Sequence, residues 1–443
     1  MGDCGLCLGK LQTKVVLLDM KKALIITYYW PPAGGPGVQR WLKFVKYLPE
    51  FGVEPIVYCP ENPSYPIVDN SLLKEIPEGV KIITQPISEP YRFANILSSK
   101  SSKQISSGVI PKQKKQSLIQ RLMLYVRGNF FIPDARKNWV KPSVNYLLEY
   151  IKTNTIDTII TTGPPHSLHL IGLQLKQQLG VKWLADFRDP WTTIGYHKQL
   201  KLSKSSQKKH KDFESKVLQT ADEIIVTSEN TKQEFLLKTK QPISVITNGY
   251  DRHHVQKPEK DKCFSLAHIG SLLSERNPIQ LWEALQELIH EHDNFRSTFQ
   301  LKLIGVVSED VLQTLKTYEL DPYINNMGYV SHEEAIKAQL ESRVLLLVEI
   351  DSKDTKVIIP GKLFEYMASS TPIVAVGPQA SDVETILKTT NTGHYFYYNE
   401  KERIKSQILS YFEAYKSNSL VVNAIGLEKY SRKSLTKTLS EII

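Results

Sequence analysis

The chain has 443 residues, room for two domains of about 200 residues each. Its 41% hydrophobic and 23% charged residues exclude a disordered, collagenous or disulfide-scaffold chain. The net charge of +10 points to a polyanion or a membrane surface, but it is unevenly spread: residues 1–240 carry 34 basic and 20 acidic side chains, and residues 241–443 carry 22 and 26.

Residues 1–19 hold Cys4 and Cys7, a C-x-x-C without a second pair or a neighbouring histidine, so neither zinc nor redox chemistry is expected there. The apolar run Val15–Leu18 is too short for a signal-peptide core. Residues 1–19 read as an extension outside the fold, which starts at Met20. Four scattered cysteines fit a reducing compartment.

From Met20 onward, short β-rich runs alternate with helical patterns, the mark of βα units on a parallel sheet. Expected strands in the first half are Ala23–Tyr28, Glu54–Cys59, Lys81–Thr84, Thr155–Thr161, Lys182–Asp186, Glu223–Thr227 and Ser244–Thr247. In the second half they are Phe264–Ile269, Gln300–Ile304, Ile324–Met327, Val344–Val348 and Pro372–Val376. Helices are expected at Gly37–Phe51, where Val38, Trp41, Leu42, Val45 and Leu48 share one face, at Ile279–His290 and at Lys362–Ser369. The expected architecture is α/β, with two doubly wound Rossmann-like domains facing a cleft. The first spans 20–240, with a basic segment at 91–131. The second spans 241–412, and helices at 413–443 pack back on the first.

Ligands of open α/β sheets bind beyond the carboxyl ends of the strands. After the first strand, Gly34, Gly35 and Gly37 allow a tight turn into a helix N-terminus, which suits an anion or a plain helix entry. No G-x-G-x-x-G fingerprint or acidic end to the second strand supports a nicotinamide cofactor. After the fourth, His166 follows Gly163-Pro164-Pro165 and either faces a cleft or packs locally. DFRDPW puts Asp186, Arg188 and Asp189 at the next strand end. Asp189 is the expected ligand-site carboxylate, and Asp186 and Arg188 can form a structural pair. In the second half, GSLLSERNP offers Ser271 and Arg276 to a phosphate. PGKLFEYMASS places Gly361, Lys362 and Leu363 at a helix start and Glu365 one turn in, suited to a diphosphate and a ribose. The competing reading is a Lys362–Glu365 surface pair.

These segments resemble family 4 retaining glycosyltransferases of the GT-B fold, from about Met20 to the C-terminus. PGKLFEYMASSTPIV resembles the helix whose glutamate binds the donor ribose, which implies that role for Glu365. GSLLSER is similar to the phosphate loop, with Ser271 where the family's arginine is usual and Arg276 where its lysine stands. The glutamate usual eight residues before Glu365 is replaced by Val357. Gly34–Gly37 resembles the acceptor-side loop, NGYD at Asn248–Asp251 the interdomain loop, and DFRDPW the form found in transferases of bacterial surface polysaccharides. The resemblance implies a hexosyltransferase that moves a sugar, with retention, from a nucleotide-diphosphate sugar to a hydroxyl of a lipid-linked or glycan acceptor. Asp189, His166 and Glu365 are its expected catalytic residues. No cofactor or metal is expected, and nucleic acid is not an expected partner. An epimerase on the same fold and a non-catalytic nucleotide-sugar binder are the alternatives.

The basic surplus lies in two runs. Tyr91–Arg127 has eight basic residues and no acidic one, and Ser117–Phe131 interleaves Leu118, Ile119, Leu122, Met123, Tyr125 and Val126 with Arg121 and Arg127. His197–Lys211 adds six lysines. An anionic membrane is the expected partner of 91–131 and 197–211, placing the protein peripherally at the inner face of the cytoplasmic membrane.

Overall fold

The computed structural model describes residues 20–89, 118–198, 200–251 and 258–443. The expected extension at 1–19 and the basic residues Arg92, Lys100, Lys103, Lys112, Lys114 and Lys115 lie outside the described residues.

The first sheet has seven parallel strands in the order β3-β2-β1-β4-β5-β6-β7. They are β1 (Lys21–Ile26), β2 (Val53–Pro60), β3 (Lys81–Gln85), β4 (Thr158–Gly163), β5 (Lys182–Phe187), β6 (Glu223–Val226) and β7 (Ile243–Val245). Its helices are α1 (Pro36–Tyr47), α2 (Leu118–Phe130), α3 (Lys137–Asn154), α4 (Ser167–Leu179), α5 (Lys204–Thr220) and α6 (Glu229–Leu236). Successive side chains of a strand face opposite ways. Leu24 and Ile26 of β1 accordingly pack with α3, α4 and α5, and Ala23 and Ile25 pack with α1 on the other face. The apolar stripe of α1 is buried as its periodicity requires. The predicted helix to Phe51 tightens after Tyr47 into a 3-10 turn, Leu48–Phe51, closed by Gly52 at φ 76°.

The second sheet has six parallel strands in the order β10-β9-β8-β11-β12-β13: β8 (Phe264–Ile269), β9 (Phe299–Ile304), β10 (Ile324–Gly328), β11 (Val344–Val348), β12 (Ile373–Gly377) and β13 (Gly393–Tyr397). Between and after them run α7 (Ile279–Glu291), α8 (Asp293–Thr298), α9 (Glu309–Thr317), α10 (His332–Glu341), α11 (Lys362–Ala368), α12 (Asp382–Thr390), α13 (Lys401–Lys416) and α14 (Arg432–Glu441). Phe264 and Leu266 pack with α7 and α13; Ala267 and Ile269 pack with α11 and α12.

Both sheets reverse strand order beside their first strand, at β1/β4 and at β8/β11, where a crevice opens in a doubly wound sheet. The boundary drawn at residue 240 moves: β7 pairs with β6, so the first sheet runs to Val245. β13 was not anticipated; its signal is the aromatic run Tyr395–Tyr397 between two helices. The tail divides. Phe412 of α13 belongs to the second core, whereas Leu435, Leu439 and Ile443, in and just beyond α14, complete the first.

The described part of the first basic run, α2, meets the second in space. Leu200 and Leu202 crowd Gly128 of α2. Asn129 accepts from the Ser203 amide at 2.8 Å and donates to the Lys201 carbonyl at 3.3 Å. α2 buries Leu124 and leaves Leu122, Tyr125, Val126 and Phe130 exposed on one face. Among the described residues no helix is long and apolar enough to cross a membrane.

Candidate active site

In the first lobe, β1 delivers the chain to Gly34 and Gly35, and Pro36 opens α1. Gly35 sits at φ 98°, a backbone region that side chains avoid. A side chain at Gly37 would run into the Arg188 guanidinium. Arg188 donates to the Pro164 carbonyl and lies 5.7 Å from the Tyr29 ring centre, so one side chain ties the loops after β1, β4 and β5 together.

Arg188 therefore does not pair with Asp186. Asp186 is fully buried and faces Arg40 of α1 at 2.9 Å. Trp41 Nε1 donates to it at 2.8 Å and Thr162 Oγ1 at 2.7 Å. Burial pushes this carboxyl up, but the Arg40 charge and these hydrogen bonds outweigh it and hold the group below its ordinary range. Arg40 also donates to the Thr247 carbonyl at 2.8 Å, bracing the interlobe connection. Asp251, further along that connection, pairs with Lys43 at 3.0 Å and accepts from Tyr47 at 3.1 Å.

Asp189 is half-buried with no hydrogen-bond partner among the described residues; burial pushes its carboxyl up while Arg188 pulls it down. His166 is buried, with its ring stacked on Trp191 at 4.9 Å and an interplanar angle of 4°. Burial holds this imidazole well below its ordinary pKa, and among the described residues neither ring nitrogen has a hydrogen-bond partner. A ring kept neutral can offer a hydrogen bond but does not exchange protons readily near pH 7.

In the second lobe, β8 is followed by Gly270, φ 114°, under the Lys362 side chain. Lys362 makes no pair with Glu365; its ammonium donates to the Ile269 carbonyl at 3.0 Å. Burial, then the charge of Arg276, lowers its pKa to about 7. Arg276 curls back toward the Ser271 carbonyl at 3.5 Å, and Ser271 itself is exposed. Glu365 receives one long hydrogen bond, 3.4 Å, from Gln339. Leu363, expected at the site, is fully buried in the second core, because its place one residue after Lys362 turns it away from the cleft. Val357, at the missing-glutamate position, is half-buried.

A carboxylate that sequence reasoning passed over stands at the end of β11. Glu349 accepts from Tyr395 at 2.7 Å and Ser381 at 3.0 Å, and burial raises its pKa to about 7. The neighbouring Asp382 accepts from the backbone and side chain of Asn230 in α6, at 3.1 and 3.0 Å, joining the two lobes.

A cavity of ≈ 340 Å³ opens between the lobes, within the size range of small-ligand sites. Of the expected residues, Gly35, Asn248, Gly361, Lys362 and Glu365 line it. Gly34, Gly37, Asp189, His166, Ser271, Arg276 and Leu363 are not among its lining residues. Others that line it went unforeseen: Arg40 and Lys43 of α1, His332 of α10, and Arg432 of α14. Arg432 donates to the Gly249 carbonyl and to Gln39, both at 3.1 Å. Its position 393 residues from Gln39 leaves no local signal. Among the described residues no group of three His, Cys, Asp or Glu is placed to hold a metal.

Residues 108–254 match the family model described as Glycosyltransferase Family 4. The chain resembles the family 4 glycosyltransferases, on a GT-B fold. It is similar in structure to a glycosyltransferase from Rickettsia africae, at 14% identity and a TM-score of 0.59, covering 96% of this chain and 98% of that one. It is similar to the lipopolysaccharide outer core galactosyltransferase WaaB, at 14% identity and TM-score 0.55, covering 96% and 99%. A putative UDP-N-acetylglucosamine 2-epimerase from Listeria monocytogenes matches at 12% identity and TM-score 0.53, covering 95% of each chain. No curated protein sequence matches the chain.

Proposed function

We propose that the protein transfers a hexosyl group from a nucleotide-diphosphate sugar to an acceptor hydroxyl, with retention of configuration. One observation carries this reading: the interlobe cavity sets Gly361, Lys362 and Glu365 of the second lobe opposite Gly35, Arg40 and Asn248. Glu365 accepts the ribose hydroxyls of the donor. Lys362, with Arg276 beside it, offsets negative charge on the diphosphate as the anomeric carbon–oxygen bond breaks, the largest expected contribution to rate. The acceptor oxygen bonds to the anomeric carbon, and its proton passes to the departing diphosphate. Asp189, half-buried on the loop after β5, orients the acceptor on the first-lobe side. The Asn230–Asp382 contact favours closed lobes, which keep water from the donor.

The test is a panel of nucleotide sugars read first by thermal stabilisation and then by product analysis. A true donor at a hundred times its Kd should stabilise the fold by about 2.7 kcal/mol. Sugar should appear on an acceptor only when both substrates are present. A changed sugar released without acceptor would instead identify an epimerase, and no stabilisation by any member would remove the donor site.

The acceptor is lipid-linked, and the first lobe docks on an anionic membrane at the cytoplasmic face. Support comes from the exposed apolar face of α2 lying beside the exposed Lys201, Lys204, Lys208, Lys209 and Lys211. The protein should co-sediment with phosphatidylglycerol vesicles at low salt and be released at 0.5 M salt, where the Debye length falls to about 4 Å. Equal recovery with neutral phosphatidylcholine vesicles, or no binding to either, would overturn the docking.

A further inference from the structure

Lys362 is held in place by more than its own helix. Its ammonium has three hydrogens to donate and no acceptor capacity. One goes to the Ile269 carbonyl at 3.0 Å and a second faces His268 Nε2 at 3.3 Å. The carbon chain of Lys362 lies over Gly270, where φ 114° and the close approach favour glycine. Two donors are thus fixed within the lobe, and one remains for the cavity that Lys362 lines.

His268 sits at the penultimate position of β8 and is buried. Its Nδ1 lies 3.0 Å from the Leu346 carbonyl of β11. A carbonyl only accepts, so Nδ1 carries the proton. The neutral ring then has a lone pair on Nε2, the form that an ammonium requires of its partner. A charged ring would set two cations against each other. Burial, and next the Lys362 charge, keep His268 far below its ordinary pKa, in agreement with a neutral ring. The charged or titratable groups around the pair are Arg276 from the loop after β8, Glu349 just after β11, Glu365 and Tyr366 of α11, His332 of α10 and Arg432 of α14. Tyr366 bonds the Ile269 backbone, at 2.9 and 3.2 Å.

We propose that His268 is a positioning residue: as a neutral Nδ1–H imidazole it accepts from the Lys362 ammonium and aims it at the donor diphosphate across Gly270. The role rests on the function proposed above and deepens it. The phosphate-loop arginine of the resembled family is here Ser271, exposed and short. A lysine arriving from α11, steadied by a histidine from β8, supplies the cation from the other side of the same crevice. The arriving diphosphate then favours the charged ammonium and takes its third hydrogen.

Two substitutions separate aiming from mere packing. In His268→Asn the amide still reaches the Leu346 carbonyl but falls short of Lys362; in His268→Gln it reaches Lys362. The first readout is the pH titration of the Lys362 ε-carbon by NMR in lysine-labelled protein, assigned with Lys362→Arg. Losing an acceptor disfavours the charged ammonium, so His268→Asn should move the Lys362 midpoint down by about one pH unit, with His268→Gln close to wild type. The second readout is binding of UDP at pH 7.5, expected to weaken about tenfold in His268→Asn and to stay within about threefold in His268→Gln. An unchanged Lys362 midpoint in His268→Asn, or identical behaviour of the two variants, overturns the positioning role. A Lys362 midpoint that moves as described, in a protein that binds neither UDP nor any nucleotide sugar, upholds the pairing and overturns the donor-site function instead.

Discussion

Replacing Glu365 with Ala should remove turnover and leave the fold standing. The side chain lines the interlobe cavity and receives one long hydrogen bond, from Gln339 at 3.4 Å. Its removal takes little from the packing, and Ala is the best helix former for a place on α11. The expected stability change is below about 1 kcal/mol. The catalytic effect is of another order. A carboxylate that accepts both ribose hydroxyls makes two charge-assisted hydrogen bonds, each of about 1.5–3 kcal/mol. Losing both should lower kcat/KM by roughly 10²–10⁴. Glu365→Gln keeps one acceptor and should fall between. Steady-state kinetics with the donor found by the panel, beside urea denaturation of each variant, make the measurement. Wild-type activity in Glu365→Ala would sink the ribose assignment; loss of activity together with loss of the fold would make the residue structural.

Asp186→Ala is the opposite case. This carboxylate opens the DFRDPW segment from the last-but-one position of β5, yet its partners are internal: Arg40, Trp41 and Thr162. Its removal leaves the buried Arg40 guanidinium without its counter-charge, which typically costs about 3–5 kcal/mol. The urea midpoint should fall accordingly. The sign of the pH dependence follows from the pairing. The folded carboxyl titrates below its unfolded value of about 3.9. Its stabilisation is therefore fully present above that unfolded value and is lost as pH falls through the folded one. Asp186→Asn should be less stable at pH 7 and flatten the acid limb of the stability curve. A variant as stable as wild type at pH 7 would show that Arg40 finds another partner.

These two carboxylates show how far a local reading of the sequence reaches. Glu365 sits in PGKLFEYMASS, where a lysine, a glutamate one turn on and a buried Leu-Phe pair are all local features. Asp186 and Asp189 sit in one hexapeptide, and only their surroundings separate an ion pair with a helix 146 residues away from a carboxylate that has no hydrogen bond among the described residues. His166 teaches the same. Its position after a strand is local, but the Trp191 face that covers it belongs to another loop. β13 was missed for a related reason: its pattern of aromatic residues acquires meaning only once β12 is beside it.

By itself the sequence determined the two-sheet layout. Strand and helix periodicities are local, and strands joined through helices must run parallel and carry their loops to one edge. It also singled out Gly361, Lys362 and Glu365, which line the interlobe cavity, and the basic character of the first half. The tertiary structure decided which of those loops share a cavity, because that depends on contacts across long stretches of chain. Examples are α14 returning to complete the first core, Asn230 meeting Asp382, and Lys362 reaching back to β8. It also decided which charges are neutralised by partners and which face the cleft. A side chain's charge state depends on its burial and its neighbours, and both are set by chain packing that no local pattern encodes.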